Sequence, residues 1–134
     1  MRVFLDANVL FSASNPESNL ARLVALAKER AAVVTSDFAR EEAVRNVSVK
    51  RPAWASGLER ALLGVEVVLS VLFPLPVEIT EKDAPILCAA IRSGCTHLVT
   101  GDRRDFGHLF GTAIEGVRIV TPLRLAEVLT DGGS

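Results

Sequence analysis

Tyrosine is absent from the chain, tryptophan occurs once, and aromatics make up only 5% of its 134 residues. With six phenylalanines of core-like setting, it offers little for recognition of bases by stacking. Cysteine is scarce as well. Cys88 and Cys95 stand about 10 Å apart along the axis if the stretch is helical, too far for a disulfide, so both read as packed thiols. No CxxC or HxxxH spacing accompanies them, which argues against zinc held by Cys88, Cys95, His97 and His108. Neither charge is in surplus: 15 Lys and Arg stand against 16 Asp and Glu, for a net charge of -1. Such a chain has no overall attraction for polyanions, and nucleic acid would have to be met by a local patch or a bound metal. Long apolar runs are missing too. The longest, residues 65–77, is broken by Glu66, Ser70, Pro74 and Pro76 and falls short of the roughly 18 residues of a membrane helix. Met1-Arg2 leads into only three apolar residues before Asp6, which is no secretory signal and implies a cytoplasmic protein.

What is present is a 49% hydrophobic composition with mean hydropathy +0.33 in 14.4 kDa, the size of one domain. A surface this apolar is expected to be covered in part by a second copy, as a homodimer. One domain spans 1–130, and 131–134 reads as a disordered tail.

Short apolar strands alternate with helices. The first strand, over 2–6, is followed by the turn Asn15-Pro16-Glu17-Ser18 and an amphipathic helix through Lys28 with Leu20, Leu23, Val24 and Ala27 inward. Ala32-Val33-Val34-Thr35 is a strand, and Ser36 or Asp37 caps the helix carrying Glu41 and Glu42. Lys50-Arg51-Pro52 ends that unit. Residues 53–63 read as a helix interrupted at Gly57, and 65–72 read either as its continuation or as a strand, with Pro74 and Pro76 forcing an extended exit. A helix starting near Asp83 puts Pro85 in its first turn, where proline is tolerated. It ends at Ser93-Gly94. A strand over 97–100, a short helix over 106–110, a loop over 111–116, a strand over 117–120 and a helix to Leu129 complete the chain. This order predicts a three-layer α/β/α sandwich with a mostly parallel central sheet.

The densest chemical signal is Leu98-Val99-Thr100-Gly101-Asp102-Arg103-Arg104-Asp105-Phe106, a strand running into a glycine turn with two acids. Val3-Phe4-Leu5 likewise stops at Asp6, with Asn8 beyond. In parallel sheets ligands sit beyond the carboxyl ends of the strands, so both acids point toward one site. Each acid alone has a plain structural reading: Asp6 as a strand end, Glu42 as a solvated helix residue, Asp83 as an N-cap, Asp102 as a turn former and Asp105 as the cap of the short helix. Together they do not. Four carboxylates within about 6 Å repel by roughly 3 kcal/mol per pair at an effective dielectric near 20, and a divalent cation relieves that. An all-oxygen donor set, with Asn8 and Thr100 nearby, favours Mg²⁺ or Mn²⁺.

Val3 to Leu10, Thr35-Ser36 through Glu41-Glu42, Lys82 to Leu87 with Ala89-Ala90, and Leu98 to Asp102 with Asp105-Phe106 occur in the order of a known family. On these stretches the chain resembles PIN-domain nucleases, of the group containing the VapC-type toxins of toxin–antitoxin pairs. The resemblance implies an acidic quartet of Asp6, Glu42, Asp83 and Asp102, all metal-binding, with Asp105 a fifth catalytic acid. Glu41 competes with Glu42, and either Asp102 or Asp105 meets the metal. It further implies Mg²⁺- or Mn²⁺-dependent hydrolysis of an RNA phosphodiester and silencing by an antitoxin protein. Asn8, Thr100, Arg103 and Arg104 are candidate substrate contacts, with Lys50 and Arg51 as further attraction for RNA. Two rivals stand beside it. Another carboxylate–metal phosphohydrolase, such as a haloacid-dehalogenase-like phosphatase, needs a second Asp where Asn8 stands. A catalytically degenerate PIN fold acting as a binding module would not require all the acids.

Overall fold

A computed structural model describes residues 1–131. Among these, strands β1 (Arg2–Leu5), β2 (Ala32–Ser36), β3 (Glu66–Val68), β4 (His97–Val99), β5 (Ala113–Ile114) and β6 (Val117–Val120) form one sheet in the order β3-β2-β1-β4-β6-β5. Every pairing is parallel except the β5–β6 hairpin at the edge. The helices are α1 (Ala7–Ala13), α2 (Asn19–Arg30), α3 (Asp37–Lys50), α4 (Ala55–Leu62), α5 (Ala84–Arg92), α6 (Arg103–Phe106) and α7 (Pro122–Asp131).

Strand side chains alternate between two cores, which is why there are three layers. Val3, Leu5, Val33, Val99 and Val120 join the core under α1, α2, α4 and α7. Their neighbours Phe4, Val34, Leu98 and Ile119 join the core on the other face, with α5 and Phe106. The expected α/β sandwich is thus realised, with both faces of the sheet covered.

Several local expectations give way. Residues 53–63 are not a helix broken at Gly57: a 3₁₀ turn over Pro52–Trp54 leads into an uninterrupted α4. Gly57 is there because a Cβ would lie 1.8 Å from the carbonyl oxygen of Ser14, so α4 crosses the end of α1 in backbone contact. The ambiguous 65–72 stretch yields the three-residue strand β3, and 69–79 continues without regular structure, as its prolines dictate. The short helix begins earlier than expected, at Arg103, because Asp102 caps it. The loop over 111–116 contains β5, turned back by Glu115 and Gly116, both at positive φ. Of the tail expected over 131–134, Asp131 ends α7 and the remainder lies outside the described residues.

Candidate active site

The parallel pairing of Leu5 with Val99 brings the ends of β1 and β4 side by side, so Asp6 faces Thr100. Thr100 Oγ1 donates to Asp6 Oδ2 at 2.7 Å, and the Ala7 N–H donates to Asp6 Oδ1 at 2.6 Å. Asn8 Nδ2 donates to Asp6 Oδ2 and stands 3.2 Å from Thr100 Oγ1, while Asn8 Oδ1 accepts from the Gly101 N–H. Thr100 is fully buried and also accepts from the Asp102 N–H. Asn8 and Thr100 therefore fix the acids' positions, and their polar atoms are committed to doing so.

The remaining acids arrive on helices. Ser36 Oγ caps α3 by accepting from the Ala39 N–H, and α3 then carries Glu42 to the cleft while Glu41 points to solvent. Asp37 does not cap; its Oδ1 accepts from the Phe38 and Ser70 N–H groups, tying α3 to the segment after β3. Asp83 begins α5 without capping it, and its Oδ2 accepts from Thr80 Oγ1 at 2.8 Å. Asp102 Oδ1 accepts from the Asp105 N–H, so the cap of α6 is Asp102 and not Asp105. Asp83, Asp102 and Asp105 each present a carboxylate oxygen, all within 4.8 Å of one another. Both Asp102 and Asp105 thus reach Asp83.

Burial and mutual repulsion show in the titration of the two most enclosed acids. Asp6, 3% exposed, is pushed up to about 6 by burial first, with the charges of Glu42 and Asp102 adding to it and the Thr100 and Ala7 hydrogen bonds opposing. Asp83, 4% exposed, is pushed up to about 7 by burial, then by a hydrogen bond with Asp105 and the charges of Asp6 and Asp102, against the Thr80 hydrogen bond. Among the described residues the ion pairs are Arg2–Glu66 and Arg124–Glu127, so none of the five acids has a cationic partner.

Asp105 lines the neighbouring cavity that holds Arg104, while Asp6, Glu42, Asp83 and Asp102 line a cleft of about 430 Å³. Glu42, Asn46 and Lys50 enter it from successive turns of α3, and Phe11 and Lys82 complete it. Asn46, Phe11 and Lys82 were not anticipated as site residues. Asn46 was within reach of periodicity, being four residues after Glu42, and Phe11 three after Asn8. Arg103 and Arg104 are exposed and border separate cavities, Arg103 with Phe110 and Leu123 and Arg104 with Glu78 and His108. The thiols of Cys88 and Cys95 are buried and free, His97 Nδ1 is engaged by Thr96 and His108 Nε2 by the Glu78 carbonyl, and among the described residues none of the four belongs to a group of three ligand atoms within 4.8 Å of one another. The oxygen-only donor set with unneutralised acids fits a hard divalent cation.

Sheet order, crossovers and acids at the carboxyl ends of β1 and β4 define an α/β protein with the PIN-like fold. No family model matches the sequence, and no curated protein does. Among solved structures the chain is similar to a chain of VapBC2 from Rickettsia felis bound to a DNA fragment from their promoter, with TM-score 0.65 and 18% identity over 90% of this chain and 98% of that one. It is similar also to a chain of VapBC-1 from nontypeable Haemophilus influenzae, with TM-score 0.57 and 14% identity over 92% and 99%. A chain of FitAB bound to an IR36 DNA fragment gives TM-score 0.56 and 19% identity over 90% and 94%. At these identities the likeness establishes the fold.

Proposed function

We propose that the chain is a Mg²⁺- or Mn²⁺-dependent endoribonuclease and the toxin of a toxin–antitoxin pair. The observation that carries this is the convergence of Asp6, Glu42, Asp83 and Asp102 on one cleft, with a carboxylate oxygen of Asp105 within 4.8 Å of those of Asp83 and Asp102, and with no cationic partner for any of the five among the described residues. Asp6, Asp83, Asp102 and Glu42 are the residues that hold metal, with Asp105 beside them. A bound ion of this kind activates water and stabilises charge on the phosphate. The chain's own part is positional. Thr100 and Asn8 pin Asp6, Thr80 pins Asp83, and the Asp102 cap locks α6 so that Asp105 meets Asp83. Burial and the neighbouring acids push the Asp83 carboxyl up to about 7, so it keeps its proton close to neutrality.

The partner is proposed from the company the similar structures keep: VapBC2, VapBC-1 and FitAB, two of them bound to DNA. An antitoxin protein is therefore the proposed regulator, and a second copy the proposed cover for the exposed Leu63, Leu69 and Leu72 around β3. No helix among the described residues is long and apolar enough to cross a membrane, and the cytoplasm is the proposed location for a protein acting on RNA. The test is cleavage of single-stranded RNA by the purified protein with Mn²⁺, with EDTA, and after Asp83→Asn. Cleavage lost in the last two supports the assignment; equal cleavage by the wild type and Asp83→Asn rules out the proposed site, and no cleavage by the wild type leaves a degenerate binding module.

A further inference from the structure

We infer that a single RNA strand leaves the acidic cleft over a cation–aromatic cradle made of Phe11, Lys50, Arg51 and Trp54, with Lys50 and Arg51 holding the phosphates flanking the scissile one. This deepens the nuclease reading and rests on it for the identity of the polyanion.

Four side chains from α1, the end of α3 and the following 3₁₀ turn meet here. The rings of Phe11 and Trp54 pack at 5.3 Å between centroids, tilted by 49°. Lys50 Nζ stands 5.9 Å from the Phe11 centroid, and the Arg51 guanidinium carbon 5.5 Å from that of Trp54. Both cations are exposed, and neither has a carboxylate partner among the described residues. Phe11 and Lys50 also line the acidic cleft itself, so the cradle is continuous with the acids.

Two charges resting on ring faces have already lost much of their conformational freedom, so contact with a phosphate costs less ordering than for free side chains. Arg51 Nη1 donates to the Lys50 carbonyl at 3.1 Å, which holds the guanidinium beside the indole and leaves its other N–H groups for phosphate oxygens. The opposite flank is ill suited to a polyanion, because Arg104 there shares its cavity with Glu78 and Asp105. In a chain of net charge -1, an unpaired cation pair beside the cleft supplies the local patch that RNA binding requires.

Trp54 is the chain's single tryptophan, so its fluorescence reports occupancy of the cradle without any need for turnover. The experiment titrates a short single-stranded oligoribonucleotide into Asp6→Asn protein with Mg²⁺ at several salt concentrations, following both Trp54 emission and oligonucleotide anisotropy. Emission is expected to change on binding, and the slope of log affinity against log salt is expected to fall by about 0.7 for Lys50→Ala and again for Arg51→Ala. Arg104→Ala leaves the slope unchanged. Binding by anisotropy with no change in Trp54 emission, unchanged slopes in both variants, or equal affinity for an oligoglutamate of the same charge would overturn the inference. Wild-type protein that cleaves RNA while the slopes stay fixed removes the cradle alone. Wild-type protein that does not cleave, with emission and slopes as expected, removes the nuclease reading and keeps the strand path.

Discussion

Replacing Asp6 by asparagine separates the charge of the site from its shape, and the structure sets the size of the effect. In the native chain this carboxyl is pushed from 3.8 up to about 6. It holds its proton more tightly than in the unfolded chain, so stability is unaffected below the unfolded value and falls as pH rises between the two. Above about pH 6 the full cost is roughly 3 kcal/mol at about 1.36 kcal/mol per decade of proton affinity. Asparagine carries no charge and recovers that amount near neutrality. It loses something at every pH, because an amide nitrogen in place of Oδ2 faces the donors of Thr100 at 2.7 Å and Asn8 at 3.1 Å. That conflict costs about 1–2 kcal/mol. Urea unfolding in EDTA should therefore find Asp6→Asn less stable than wild type by about 1–2 kcal/mol at pH 4, and more stable by about 1 kcal/mol at pH 7.5. Mn²⁺-dependent RNA cleavage should be lost in the same protein. A stability difference that does not change with pH, or retained cleavage, would show that Asp6 is a structural anchor and not a held-back charge.

Mn²⁺ should raise the melting temperature at pH 7.5 far more than at pH 5, since Asp6 and Asp83, at about 6 and about 7, must give up protons to bind it. A stabilisation of about 2.7 kcal/mol is expected at a hundredfold excess over the dissociation constant, and equal shifts at both pH values would count against these acids as ligands. Glu42→Gln should reduce cleavage by at least about tenfold, a loss of about 1.4 kcal/mol in transition-state binding, while Glu41→Gln should cleave as wild type does. The reverse pattern in a side-by-side assay would reassign the acid of α3. Gly57→Ala should lower stability by about 1–3 kcal/mol despite alanine's better helix propensity, because its Cβ meets the Ser14 carbonyl. A neutral or stabilising outcome by thermal melting would mean that α1 and α4 do not touch there.

Local pattern carried most of the architecture. Val3-Phe4-Leu5, Val33-Val34 and Leu98-Val99 are short apolar runs, and a run that short between helices has few options besides a strand buried on both faces. Asp6 and Asp102 follow directly, because an acid that ends a parallel strand lies at its carboxyl edge whatever the rest of the chain does. Where local chemistry was balanced, the reading had to wait for packing. Residues 65–72 had apolar content for either element, and pairing with β2 through Val34 to Ser36 decided for a strand. Gly57 reads as a helix breaker until the helix it sits beside is known.

Which acids cooperate is a question of through-space distance, and sequence separation says nothing about it. Leu5, Ser36 and Val99 end strands and Asp83 precedes α5 at well-separated points of the chain, yet sheet order puts Asp6, Glu42, Asp83 and Asp102 around one cleft. Thr100 and Asn8 read as contacts for substrate because they are polar and near the acids; the fold adds that they hydrogen-bond Asp6, Gly101 and Asp102 and so position the acids. Arg103 and Arg104 looked equally near, and α6 sets each beside a neighbouring cavity rather than in the lining of the cleft. The sequence by itself determined the layers and the strand-end acids, since those depend on hydrophobic period and strand polarity. The tertiary structure decided the approach of Asp83 to Asp102 and Asp105 and the seating of Lys50 and Arg51 on Phe11 and Trp54, because each depends on burial and on contacts between elements that no local pattern encodes.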